Sequence, residues 1–189
     1  MPEKLSPKEK EELLKIARQA LESTSRKERL PILDLSSLPP ALQADAASFV
    51  TLTIGGELRG CIGTLEAYQP LALDVQERAK QAGSSDPRFN PVRPEELPLI
   101  KLEISRLSKP ELLEYGSPDE LIGLLRPGID GVVITEDKRR ATFLPQVWEE
   151  LPDAEHFLGQ LCRKMGVPAN HWKHRHLKVE TYQVEEFSE

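Results

Sequence analysis

Apolar residues recur along this chain with two different periods, and the alternation between them lays out most of its elements. Over residues 7 to 25, Leu13, Ile16, Ala17, Ala20 and Leu21 fall at three- and four-residue spacings, one face of an amphipathic helix. Ser6, Pro7 and Glu9 supply its cap, first turn and capping box. The periodicity then stops. From residue 23 to 47, Pro31, Pro39, Pro40 and several serines predict an irregular connection along the surface. Val50, Leu52 and Ile54 alternate with Thr51 and Thr53, Gly55-Gly56 offers a two-residue turn, and the chain returns as ELRGCI, which predicts a β-hairpin.

A second helix is expected from Pro70 to Ala82, with Leu73, Glu77 and Lys80 spaced along it. The stretch 84–98 carries four prolines and reads as loop. Leu99 to Leu107 alternates as a strand, with Ile100, Leu102 and Ile104 facing inward. Ser117, Pro118 and Glu120 cap a short helix, and the run from Gly131 predicts a hairpin with a charged tip. Asp153 starts a helix whose stripe is Phe157, Leu158, Leu161, Cys162 and Met165, closed by Gly166. The final strand, LKVETYQVEEF, shifts its apolar phase midway, which suggests a bulge. Strands that come as hairpins with helices between them predict an antiparallel α+β fold.

A chain of 189 residues is one domain by size, long enough to bury a core without disulfides or metal. The hydrophobic share of 39% excludes a disordered chain, and no apolar run approaches a bilayer span. The charged start, MPEKLSPKEKEELLK, does not resemble a signal peptide, so a cytoplasmic location is expected. Two cysteines suit a reducing compartment. A net charge of −6 and few aromatics disfavour nucleic-acid binding, although KHRHLK and DKRR are local basic clusters. Sixteen prolines with only two Asn, two Met and two Cys point toward a thermophilic source, against which eight Gln weigh.

The chemistry concentrates in Leu58-Arg59-Gly60-Cys61-Ile62-Gly63. In a regular strand Arg59 and Cys61 share one face while Leu58 and Ile62 go to the core. A guanidinium beside a thiol favours thiolate, which makes Cys61 a candidate nucleophile. Gly60 and Gly63 allow close approach of backbone or ligand. The plainer alternative makes Cys61 a small buried hydrophobe and Arg59 a surface charge.

LRGCIG preceded by FVTL, then DPRF at 86–89, EIS at 103–105, PGIDG at 127–131, FLPQVW at 143–148 and FLGQLCRKMG at 157–166, together resemble the AMMECR-type domain family from Phe49 to Phe187. The resemblance implies a single two-lobed α+β domain over residues 1–189, antiparallel sheets with flanking helices, and a cleft near LRGCIG. It also implies action alongside a Memo-like protein and a radical SAM protein, and no established reaction. The matching site positions are Arg59, Gly60, Cys61 and Gly63, with Asp86 and Arg88 as a second cluster. Two departures stand out: Gln81-Ala82-Gly83-Ser84-Ser85 replaces an alanine-rich helix end, and Glu136-Asp137-Lys138 replaces a glycine at the hairpin tip.

If the 84–98 loop folds over the hairpin, Arg59 and Arg88 form a pocket for a small anionic ligand, carboxylate or phosphate. Asp86 and Arg88 have a purely structural reading too, as a brace for the loop. The histidines His156, His171, His174 and His176 lack the partners of a zinc site, and no nucleotide motif is present, so no cofactor or metal is expected. Cys162 lies in an apolar stripe and reads as core, and Trp148 and Trp172 read as packing anchors between lobes. Two functional classes remain: a ligand-handling protein, with or without Cys61 catalysis, and a non-catalytic adaptor using the same surface. A homo-oligomer stays open.

Overall fold

The computed structural model describes residues 4–189, which divide into two compact units. The first runs to Lys109 and takes back Glu185–Glu189 from the C-terminus; the second is Pro110–Val184. Helices and two antiparallel four-stranded sheets give the expected α+β class.

In the first unit α1 (Pro7–Ser25) begins as the sequence requires: Ser6 accepts from Glu9 N and the Glu9 side chain returns to Ser6 N. Its buried residues are Leu13, Ile16, Ala17, Ala20 and Leu21, the stripe read from spacing. The connection after it is irregular but not merely superficial. A 3-10 turn at Leu35–Ser37 and α2 (Pro40–Gln43) place Leu42 wholly in the core, and Leu30, Leu33, Leu35 and Leu38 pack against it. The prolines set its backbone, while its leucines bury apolar area.

Strands β1 (Ala47–Ile54) and β2 (Glu57–Gly63) form the hairpin around Gly55-Gly56, both at positive φ. Helix α3 (Leu71–Ser84) follows, then a 3-10 turn at Pro94–Leu99 and β3 (Ile100–Leu107). The sheet order is β2-β1-β3-β8, with β8 spanning Val184–Ser188. Val50, Leu52, Ile100, Leu102 and Ile104 meet α1 and α3 in one core.

Helix α3 hides a polar network that hydrophobic periodicity gave no reason to expect. Asp74 is fully buried and accepts from Ser48 N at 2.9 Å, Ser48 Oγ at 2.7 Å, Gln69 Nε2 at 3.1 Å and Arg78 Nε at 3.2 Å. Arg78 also donates to Tyr68 and to Gln81. Four donors on one carboxylate offset the desolvation that a buried charge costs.

The second unit holds β4 (Glu111–Leu112), α4 (Pro118–Leu124), β5 (Gly131–Glu136), β6 (Arg139–Phe143), α5 (Val147–Glu150), α6 (Ala154–Met165), α7 (His171–His174) and β7 (Lys178–Tyr182). Its sheet order is β4-β7-β5-β6. The apolar stripe of α6 is buried, Cys162 included, and Gly166 ends the helix at φ 85°. Trp148 stacks on Phe157 at 3.7 Å and Trp172 is buried in the same core, so both tryptophans anchor the interior of one unit rather than bridging lobes. At the β5–β6 tip Asp137 takes a positive φ of 53°, a backbone conformation that favours glycine and that Asp tolerates better than most residues.

The phase shift in the last strand is not a bulge. It is the point, at Gln183, where the chain leaves the second sheet as β7 and enters the first as β8.

Removing the Asp74 carboxylate leaves Ser48 N and Oγ without their acceptor and leaves Arg78 with only the more exposed Glu77, at 3.3 Å, as a carboxylate partner. Asp74→Ala is expected to destabilise the protein by on the order of 3–5 kcal/mol, read as a lower urea midpoint at unchanged m-value.

Candidate functional site

The hairpin carries a bulge where the sequence suggests a regular strand. Leu52 pairs with Gly60 but Thr53 pairs with Leu58, so Arg59 is the extra residue of β2. The consequence corrects two expectations. Leu58 faces with Thr53 and is 41% exposed, not core, and Arg59 does not sit beside the Cys61 thiol. Arg59 instead reaches Glu96 in the proline-rich loop, with Nε donating at 2.8 Å and Nη2 at 3.2 Å. Ile62 packs against the core as expected.

Both signature glycines are required by close approach. A Cβ on Gly60 would meet the Ala82 carbonyl oxygen in the last turn of α3, and one on Gly63 would fall within the Phe49 ring. The altered helix end of this chain fits the same packing: a Cβ on Gly83 would strike Leu21, and Val92 N donates back to Gly83 O at 2.7 Å.

Strand β2 is an edge, so the outward backbone groups of Cys61 have no strand to pair with. The DPRF loop supplies the pairing. Cys61 N donates to Asp86 Oδ2 at 2.9 Å, and Arg88 Nη2 donates to Cys61 O at 3.3 Å. Arg88 N and Nε both donate to Asp86 Oδ1 at 3.0 Å, and Nη2 to Oδ2 at 2.7 Å. Because its own backbone points outward, Cys61 stands at a non-hydrogen-bonded pair with Thr51, where side chains come closest. Thr51 Oγ1 accordingly donates to Cys61 Sγ at 3.2 Å.

The electrostatics follow from this geometry. Hydrogen bonds from Arg88, then those from the Cys61 and Arg88 backbone, hold Asp86 far below the usual carboxylate range against its burial. Arg59 holds Glu96 down at about 2, again against burial. The Cys61 thiol moves the other way: burial pushes it above its ordinary value, and the opposing pull of Thr51 and Arg88 does not recover it. The guanidinium that acts on the thiol belongs to Arg88.

The loop also brings the two arginines to one aromatic ring. Arg59 Cζ lies 5.9 Å and Arg88 Cζ 5.5 Å from the centroid of Phe89, the last residue of DPRF, which no spacing in the sequence marks as part of the site. Arg88 is 53% exposed at its side chain, whereas Arg59 Nη1 is shut off from solvent with no partner. An orphaned donor of this kind costs on the order of 1–3 kcal/mol.

The histidines lie elsewhere. His171 pairs with Glu136 at 2.9 Å and His176 stacks on Tyr115 at 4.4 Å, and no group of three His, Cys, Asp or Glu among the described residues is placed to hold a metal ion. No helix among the described residues is long and apolar enough to cross a membrane.

With this geometry in place, comparison with known proteins decides the family. The AMMECR1 family model matches residues 14–187. The chain belongs to the AMMECR1 family. A relative from Methanothermobacter thermautotrophicus is 41% identical over 98% of this chain and 96% of its own length. One from Thermofilum pendens is 36% identical over 98% of this chain and 92% of its own. The crystal structure of an uncharacterised protein from Pyrococcus horikoshii superposes with a TM-score of 0.88 at 32% identity, covering 98% of this chain and 93% of that one. These AMMECR1-family relatives come from thermophilic archaea.

The low folded-state values of Asp86 and Glu96 stabilise the protein above the unfolded carboxylate value near 4, and that contribution fades as pH falls toward 2. Acid titration of the unfolding free energy is expected to show this loss below pH 4, with a shallower slope in Glu96→Gln. Gly60→Ala is expected to cost on the order of 1–3 kcal/mol in chemical denaturation, because backbone rather than a flexible side chain stands in the way.

Proposed function

We propose that this AMMECR1-family protein is a cytoplasmic binding protein that handles its ligand without covalent chemistry at Cys61. The observation that carries the reading is the state of the thiol: burial raises its pKa, and Thr51 donates to its sulfur while Asp86 and Arg88 fix its backbone. A nucleophilic cysteine needs its thiolate stabilised at neutral pH, and this environment favours the thiol. Arg59, the arginine expected to activate it, is forked onto Glu96 in the loop instead. LRGCIG and DPRF thus build a rigid, charged rim around Phe89, and preorganised groups of this kind suit recognition.

The small-ligand reading is favoured over the adaptor reading by the unpartnered Arg59 Nη1, a buried donor still lacking an acceptor. A Memo-like or radical SAM protein, the partner implied by the family resemblance, then acts alongside this protein on the ligand it holds.

Alkylation of Cys61 by iodoacetamide in a Cys162→Ser background tests this reading. Slow reaction through pH 7, rising only above the ordinary thiol value of about 8.5, is expected. A midpoint well below that value, moving up on removal of Arg88, would restore the catalytic alternative.

A further inference from the structure

The two signature arginines are committed in the same way. Arg59 gives its Nε/Nη2 edge to Glu96, at 2.8 and 3.2 Å, and Arg88 gives the same edge to Asp86, at 3.0 and 2.7 Å. A side-on fork of this kind locks the plane of a guanidinium while leaving its Nη1 end unused. Neither Nη1 has a hydrogen-bond partner among the described residues. Both guanidinia lie within 6 Å of the centroid of Phe89. The carboxylates therefore hold two cationic donors in place beside one ring without consuming their outer ends.

We infer that the AMMECR1 signature site binds an oxyanion, carboxylate or phosphate, between the Nη1 ends of Arg59 and Arg88 beside Phe89. The inference rests on the binding reading above and names the ligand class for it. An oxyanion carries several acceptor lone pairs and no competing donor, so it answers the orphaned Nη1 of Arg59 and the half-exposed end of Arg88 together. The anion arrives at Arg88, which is 53% exposed, and reaches Arg59 Nη1 once that buried end is uncovered. Because the guanidinium planes are already fixed, little side-chain freedom is lost on binding. Phe89 keeps an apolar flank next to the charge and sets how large a group can enter. A thiol kept neutral beside the site adds no negative charge to repel the anion.

The protein contains its own control. Arg126 forks Nε and Nη2 onto Asp130 at 3.1 and 2.6 Å and is 55% exposed, so it matches Arg88 in pairing and exposure. No second guanidinium shares an aromatic ring with it among the described residues.

The test uses full-length protein labelled with [15N]arginine, following guanidinium nitrogen resonances during titration with inorganic phosphate and, separately, acetate, each against chloride at matched ionic strength. Saturable shifts of Arg59 and Arg88, with Arg126 unmoved, are expected for at least one anion, and the anion that acts names the class. Arg88→Lys keeps the charge but loses the fork, and is expected to weaken the response roughly tenfold. Phe89→Leu, which retains apolar packing, is expected to alter the affinity without abolishing the fold, checked by circular dichroism. Silence with both anions overturns the inference, as does a response of Arg88 without Arg59, or one that Arg126 shares equally. Failure here with an inert Cys61 removes only the oxyanion; fast low-pH alkylation of Cys61 removes the non-catalytic reading itself.

Discussion

The Asp86 carboxylate is the contact on which the signature depends. One oxygen takes the outward N–H of Cys61, the other takes the backbone of Arg88, and both take the Arg88 guanidinium. An edge strand with an unpaired N–H and C=O is open to slippage and to foreign strands. Here a loop side chain stands in for the missing neighbour at one residue. That single substitution fixes the loop against the strand and places Phe89 beside both arginines, while the hairpin register sets the Cys61 sulfur against Thr51. The chemistry of the thiol is a by-product of closing the edge: the same burial that ends the sheet raises its pKa.

The bulge at Arg59 and the glycine at 60 are the other half of the device. Helix α3 can lay a carbonyl against β2 only where no Cβ intervenes, and Gly60 is that place. Shifting the register there by one residue releases Arg59 from the alternation of the strand, so its side chain travels to Glu96 instead of lying beside Cys61. Asp74 does comparable work at the other end of α3, tying its first turns to Ser48 in β1. The helix is thus held to the hairpin by a buried carboxylate at one end and by a glycine contact at the other.

Elements governed by local chemistry were legible in the sequence. The capping box of α1, the Gly55-Gly56 turn, the α6 stripe and the Gly166 cap all depend on residues a few positions apart. The AMMECR-type motifs gave the family, and with it the α+β fold, because they are spread over most of the chain. Strict alternation misled at Leu58, where Leu58 and Ile62 keep one phase in the sequence although the bulge at Arg59 separates their faces. In the last strand the phase slip was visible, but a change of sheet leaves the same trace as a bulge. The pairings Arg59–Glu96 and Cys61–Asp86 span 37 and 25 residues and carry no spacing signal. The sequence put Arg59 and Arg88 in one pocket only on condition that the loop fold over the hairpin, and it offered no reason to see Phe89 as the residue they share.

The Asp–Arg fork recurs in the second unit, and the comparison shows what is particular to the first. In PGIDG, Asp130 takes the backbone N–H and the guanidinium of Arg126 just as Asp86 takes those of Arg88, and each carboxylate is almost wholly buried while its arginine is half exposed. Holding a loop therefore needs only one such pair. A protein using these groups for bracing alone has no structural need for a second guanidinium, forked in the same sense onto Glu96 and turned to the same ring, with a donor left buried and unanswered. Burying an unpaired donor works against stability wherever folding is the sole demand. Arg59 Nη1 is not the sole buried polar atom without a hydrogen-bond partner, but among the described residues it is the one set beside a second forked guanidinium at a shared ring. No such doubling surrounds Arg126 among the described residues, and the pairing of Arg59 with Arg88 is what the proposed oxyanion site rests on.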